Sequence, residues 1–246
     1  MPNEETSLKR EKSIVDWLLF CAPQAEAIFL VGDIFDFWFE YKKVVPKGYV
    51  RFLGTLAKIT DGGVPIYIFP GNHDLWMADY LVKECGLILI KEEHQFDSQG
   101  KKFYVHHGDG LGPGDRSYKF LKKIFTARFA RFLFHWIHPN WGVALAQSLS
   151  KKSRLSQNPK EDQYLGNNEE YLAAFVKQHS STEYAADYYI FGHRHLVLDV
   201  SINSARYINL GEWLNGSQYA VFDGKTLELL SWPSNQIAPI KHPVQA

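Results

Sequence analysis

A chain of 246 residues, 46% of them apolar, is long enough for one sizeable domain with its own core. Its 27 basic and 27 acidic side chains balance, so global charge points to no particular partner and gives no reason to expect nucleic acid. Two distant cysteines, Cys21 and Cys85, fit no metal or redox spacing and argue against a disulfide scaffold, and no apolar stretch reaches the ~18 residues of a membrane span.

The charged start, "MPNEETSLKREK", has no signal-peptide core, and a cytoplasmic protein is expected. Residues 8–20, "LKREKSIVDWLLF", predict a helix, and "AIFLV" (27–31) a strand that stops at Gly32 and Asp33. A second helix is predicted over 48–59, "GYVRFLGTLAKI". "PIYIF" (65–69) is the next strand and runs into "PGNHD"; "KFYVH" (102–106) runs into His107, Gly108 and Asp109. "YYIF" (188–191) runs into "GHRH", and "RYINLG", "YAVFDG" and "LELLSW" are spaced like a terminal meander. The alternation predicts one layered α/β domain over 1–246, a sheet sandwich flanked by helices, with a helical insertion at about 112–165.

That insertion has a composition of its own. From Arg116 to Lys160 there are ten Lys or Arg and no Asp or Glu, with eight aromatics. Leu121, Ile124, Phe125, Phe129, Phe132, Leu133, Trp136 and Ile137 fall near helical spacing. One reading is a packed helical hairpin with a solvated basic face. The other is a basic, apolar-lined lid for an anionic amphiphile or a membrane surface.

The turns at the strand ends carry the chemistry. Four of them end in Asp33; in Asn72, His73 and Asp74; in His107 and Asp109; and in His193 and His195. Strand ends of an open α/β sheet share one edge, where ligands bind, so these donors are expected at one place. Carboxylate, amide oxygen and imidazole without thiolate suit Mn, Fe or Zn in a catalytic site rather than structural zinc. His94, His135, His138, His179 and His242 lack this context and are read as structural or surface residues.

The ordered set GD, GNHD, HGD and GHRH resembles the calcineurin-like metallophosphoesterases from residue 28 to about 230. The resemblance implies two divalent ions, manganese first, with iron and zinc as alternatives. It implies that Asp33 bridges them, that Asn72, His107 and His193 complete one site, and that His195 serves the other. His73 is implied as the residue that protonates the leaving group or stabilises charge, with Asp74 orienting it. Water activated by the metals attacks phosphorus in line.

"GDIFDFWFEY" and "HGDGLGPGD" narrow the resemblance to the UDP-2,3-diacylglucosamine hydrolases of lipid A biosynthesis, which carry a helical lid between HGD and GHxH. Hydrolysis of a pyrophosphate bond in a nucleotide-lipid, releasing UMP and a diacylated glucosamine 1-phosphate at the inner-membrane surface, is implied. Asp115 and Tyr118 match substrate contacts of that family by position, and Ser153 and Lys160 match more loosely. Many members have Arg where His73 stands, which keeps open a general phosphoesterase with another substrate. The family also begins with a strand ending D-x-H, which supplies two further ligands beside Asp33 and His195. This sequence opens already entering its first helix, with Ser7 read as N-cap. The expectation is that the natural protein extends upstream of Met1, and that this chain shows a slot beside "IFLV" and binds fewer than two metals. A non-catalytic homologue is the alternative.

Overall fold

Helix α1 runs Glu4–Cys21, earlier than the pattern predicts, and Glu5 and Lys9 pair across one turn at 2.9 Å. Ser7 therefore lies inside the helix rather than capping it. In the computed structural model, residues 4–113, 116–155, 164, 166, 170–213, 216–233 and 236–237 are described. The chain divides into two units, residues 1–91 with 137–147 and residues 92–136 with 148–246.

In the first unit α1 buries Trp17 and Leu18, and Pro23 lies in the short 3₁₀ turn after it. β1 (Ile28–Leu30), β2 (Ile66–Ile68) and β3 (Ile88–Leu89) form an all-parallel sheet in that order, with Ile28 opposite Ile66 and Tyr67 opposite Ile88. Helix α2 (Val50–Asp61) buries Phe52, Thr55, Leu56 and Ile59, one stripe at helical spacing. Each large apolar member contributes about 1.5–3 kcal/mol. Its first turn is capped from α1: Glu11 Oε1 accepts the N–H groups of Arg51 and Phe52 at 3.0 and 3.3 Å. Helix α3 (Tyr80–Cys85) lies in the chain between β2 and β3.

In the second unit β4 (His94–Ser98) and β5 (Lys101–Val105) form a hairpin. Its two loop residues, Gln99 and Gly100, both have positive φ, 48° and 77°, which suits the right-handed twist of the strands. The insertion begins in this unit with α4 (Arg116–Thr126) and α5 (Arg128–His135); its third helix, α6 (Pro139–Leu155), starts among the residues of the first unit, begun by Pro139 after His138, whose Nδ1 accepts the Asn140 N–H at 3.3 Å. After α7 (Tyr171–His179) come β6 (Tyr188–Phe191), β7 (Val197–Ile202) and β8 (Ala205–Leu210). The sheet order is β4-β5-β6-β8-β7, with β5, β6 and β8 parallel and both edge pairs antiparallel. Its core is aromatic and branched: Tyr189, Phe191 and Tyr207 pack with Leu172 and Val176 of α7.

β9 (Gln218–Phe222), β10 (Leu227–Ser231) and β11 (Gln236–Ile237) make a separate antiparallel sheet in the order β11-β10-β9. The expected terminal meander is corrected here. "RYINLG" is β8 and inserts between β6 and β7, and only the last two runs form a hairpin with each other. The architecture is α/β, mixed sheets with helices. Among the described residues no helix is long and apolar enough to cross a membrane.

Candidate metal centre

In the first unit two loops carry donors. β1 ends at Leu30, and Asp33 stands three residues on with φ 52°, a left-handed conformation costing about 1–3 kcal/mol in a non-glycine residue. The loop after β2 holds it there, the His73 N–H donating to Asp33 Oδ1 at 2.9 Å. Gly71 makes the approach feasible. A Cβ at that position would lie 2.1 Å from Asp33 Oδ1 and 2.4 Å from its backbone nitrogen, so no other residue fits without moving the carboxylate.

Asp74, fully buried, binds the same two loops together: Oδ1 accepts the Gly71 N–H at 2.6 Å and Oδ2 the Phe35 N–H at 3.1 Å. Behind them Glu40 accepts from Trp38 Nε1 at 3.0 Å and from the N–H groups of Ala78, Asp79 and Tyr80, each at 2.9 Å. It thereby caps α3 and anchors the end of the loop that carries Asn72 and His73.

In the second unit the donors come directly after β5 and β6. The His107 carbonyl accepts N–H groups from both Gly192 and His193, at 3.0 and 2.9 Å, which locks one turn onto the other. The two imidazoles meet edge to face with ring centres 5.1 Å apart, His107 almost wholly buried. Gly108, at φ 114°, permits this; a Cβ there would come within 3.2 Å of the His193 Cβ.

Further titratable groups lie in the same unit. His106 is buried, its Nδ1 accepting the Gly108 N–H at 2.7 Å. Burial chiefly pushes its pKa down to about 4, with Asp109 opposing and Lys122 and His107 adding to the fall. Burial pushes the Asp109 carboxyl up, but His107, Lys122 and the Tyr118 hydroxyl outweigh it and hold it below the usual range. Lys122 Nζ and Tyr118 Oη both reach Asp109 Oδ2 at 2.6 Å, and Lys119 Nζ donates to the Gly112 carbonyl at 2.5 Å. Glu170 is buried beside Arg194, 3.4 Å away; burial raises its pKa and the guanidinium opposes that rise. Finally His195 Nδ1 stands 3.5 Å from Glu212 Oε2.

The structure thus ties the loop of Asp33 to the loop of Asn72, His73 and Asp74 within one unit, and within the other it sets His107 against His193 and His195 beside Glu212. Tyr118 sits on Asp109. Asp115 and Lys160 lie outside the described residues, and of Ser153 only the backbone, in α6, is described. The basic face of the insertion is not uniformly solvated, since Lys119 and Lys122 turn onto the 109–112 loop. Its apolar stripe is not packed as a hairpin core either: Phe129, Phe132, Leu133 and Trp136 are 52–76% exposed, as is Phe120 beside them.

Of the histidines read as structural or surface, His179 Nδ1 meets the Tyr189 hydroxyl at 2.8 Å, His135 is exposed, and His242 lies outside the described residues. Sequence reasoning passed over His106, Glu40, Glu170 and Glu212. For the first, the doubled histidine in "YVHHGD" was the available signal. Carboxylate, amide and imidazole donors without thiolate, two of them seated only because glycines stand opposite, fit a hard or borderline divalent ion.

Known proteins resemble the chain over most of its length. A UDP-2,3-diacylglucosamine hydrolase of Porphyromonas gingivalis is 40% identical over 233 residues, 90% of this chain and 89% of its own. One from Edwardsiella ictaluri is 26% identical, covering 87% of this chain and 82% of its own. Among solved structures, an archaeal phosphodiesterase matches with 13% identity and a TM-score of 0.45, over 92% of this chain and 93% of its own. The family model described as calcineurin-like phosphoesterase matches residues 8–197, and with that span, which takes in every motif donor from Asp33 to His195, the chain belongs to the calcineurin-like phosphoesterase family of metal-dependent hydrolases.

Proposed function

We propose that the chain hydrolyses the pyrophosphate bond of UDP-2,3-diacylglucosamine, giving UMP and 2,3-diacylglucosamine 1-phosphate in lipid A biosynthesis, on the cytoplasmic face of the inner membrane. The observation that carries the substrate class is the two-sided insertion. Lys119 and Lys122 turn to the loop just after His107, while Phe120, Phe129, Phe132 and Trp136 face solvent. An anionic head with acyl chains is the ligand chemistry that uses both sides. The similarity to the Porphyromonas gingivalis hydrolase supports the same reading.

In this proposal Asp33, Asn72, His107, His193 and His195 would hold the divalent ions, with manganese as the metal. When bound, the ions lower the pKa of water and neutralise charge on the phosphoryl oxygens. The chain's own residues do the rest. His73 delivers a proton to the leaving oxygen or steadies its charge. Asp74 keeps the loops of Asp33 and His73 in one geometry. Tyr118, Asp115, Ser153 and Lys160 contact the substrate, and the exposed aromatics rest on the membrane surface.

UMP release from UDP-2,3-diacylglucosamine is the test, run against a simple phosphodiester, with chelator and with manganese restored. Turnover confined to the nucleotide-lipid and returned by manganese supports the proposal. Equal turnover of the simple diester would make the chain a general phosphoesterase.

A further inference from the structure

The pair His195 and Glu212 has a cause in the fold. β7 and β8 form a tight hairpin in which Ile202 faces Ala205 and Val197 faces Leu210. Continuing that register two residues beyond the ladder sets His195 opposite Glu212. The chain keeps the alignment because the residue between is glycine. Gly211 has φ 73°, and a Cβ there would lie 2.7 Å from the Val197 side chain.

Both flanks are fixed. The Asn209 side chain, fully buried, donates to the carbonyls of Arg194 and Leu196 on either side of His195. Trp213, next to Glu212, donates its indole N–H to the Gln218 carbonyl at 2.9 Å. The outcome is one ring nitrogen, Nδ1, 3.5 Å from a carboxylate oxygen whose backbone has little freedom to leave.

We propose that Glu212 is a positioning residue for His195. Its carboxylate accepts the Nδ1–H of His195, fixes the tautomer, and so leaves Nε2 with the lone pair for a divalent ion. This rests on the reading of His195 as a metal ligand and extends it to a residue that the motif does not contain. A carboxylate behind a ligating imidazole raises its basicity and holds its ring plane, and removing such a partner typically costs 10–100-fold in metal affinity. A bare surface ion pair predicts something different. His195 and Glu212 side chains are 29% and 20% exposed, and a solvent-screened ion pair would contribute to stability and leave metal affinity unchanged.

The test compares wild type with Glu212→Ala, Glu212→Gln, Glu212→Asp and His195→Ala, all as the full chain. Metal-free protein is titrated with manganese alone in a calorimeter, and the His195 ring nitrogens are followed by NMR in the metal-free state. His195→Ala should lose the ion, or the share of affinity, that His195 supplies. Glu212→Ala and Glu212→Gln should weaken that same binding about 10–100-fold, and Glu212→Asp should recover most of it. The NMR signals should show an Nδ1 proton in wild type and a tautomer mixture in Glu212→Ala.

If His195→Ala weakens manganese binding and the Glu212 variants titrate like wild type, the inference is wrong while the metal reading stands. If His195→Ala itself titrates like wild type, the metal reading of His195 falls and takes the inference with it. Glu212→Gln keeps the side-chain volume, so a loss there is not a packing defect.

Discussion

The loop at 71–74 and the helices α4 and α5 are held in opposite ways. The loop is fixed by carboxylates on backbone N–H groups: the buried Asp74 on Gly71 and Phe35, and the partly buried Asp33 on His73. Helices α4 and α5 are tied through Tyr118, Lys119 and Lys122, and they leave large aromatic side chains in solvent. Chemistry needs donors fixed to a fraction of an ångström; capture of an amphiphile needs apolar surface left uncovered. The donor loop spends its carboxylates on its own backbone, and the uncovered aromatic surface lies on the insertion.

The contrast breaks first at Asp74. Asp74→Ala leaves two buried N–H donors without their acceptor, at about 1–3 kcal/mol each, so urea unfolding should show a loss of about 2–6 kcal/mol. Asp74→Asn should recover part of it. A loss under 1 kcal/mol would mean the loops are fixed by something else. His73→Ala comes next. Turnover should fall on the order of 10²–10⁴ with manganese content unchanged, and unaltered turnover would remove the imidazole from proton transfer.

The third is a pH effect from His106. Its folded pKa is about 4 against an ordinary 6.5. Between these values the unfolded chain binds a proton that the folded chain refuses, so stability falls as pH falls through that window, by up to about 3 kcal/mol. His106→Gln keeps an acceptor for the Gly108 N–H and should flatten that part of the profile; an unchanged slope would assign it to other groups. The smallest effects lie on the insertion. Phe129→Ser and Trp136→Ser should each weaken partitioning to anionic vesicles by roughly 1–2 kcal/mol, as lost apolar burial. Lys123→Met should cost about 1 kcal/mol. Lys119→Met and Lys122→Met should cost less than that, because those ammonium groups turn away from the exposed aromatic face to the Gly112 carbonyl and the Asp109 carboxylate. Equal losses from all the lysines would place the whole basic face at the membrane.

The strands that precede the donor residues were legible because each is a short apolar, branched run stopped by Gly or Pro. β1, β2, β5 and β6 form within the predicted runs or one residue from them. β7 was hidden because "VLDVSI" comes after GHRH without a break and carries Asp199, which pairs with Arg206 of β8. The donors were legible as residue types after strands. What sequence could not show was the scaffold behind them. Glu40 and Glu212 act across turns whose geometry exists only in the fold, and the partners of Lys119 and Lys122 lie on another loop. The stripe from Leu121 to Ile137 revealed a helical period but not whether anything covers it.

Gly71 carries a consequence for inheritance. It offers no side chain, yet the space its missing Cβ leaves is already filled by the Asp33 carboxylate. In a saturation-mutagenesis selection for growth, every missense codon at 71 should score as a null allele. Second-site suppressors should be absent, because no change elsewhere restores room at a backbone atom.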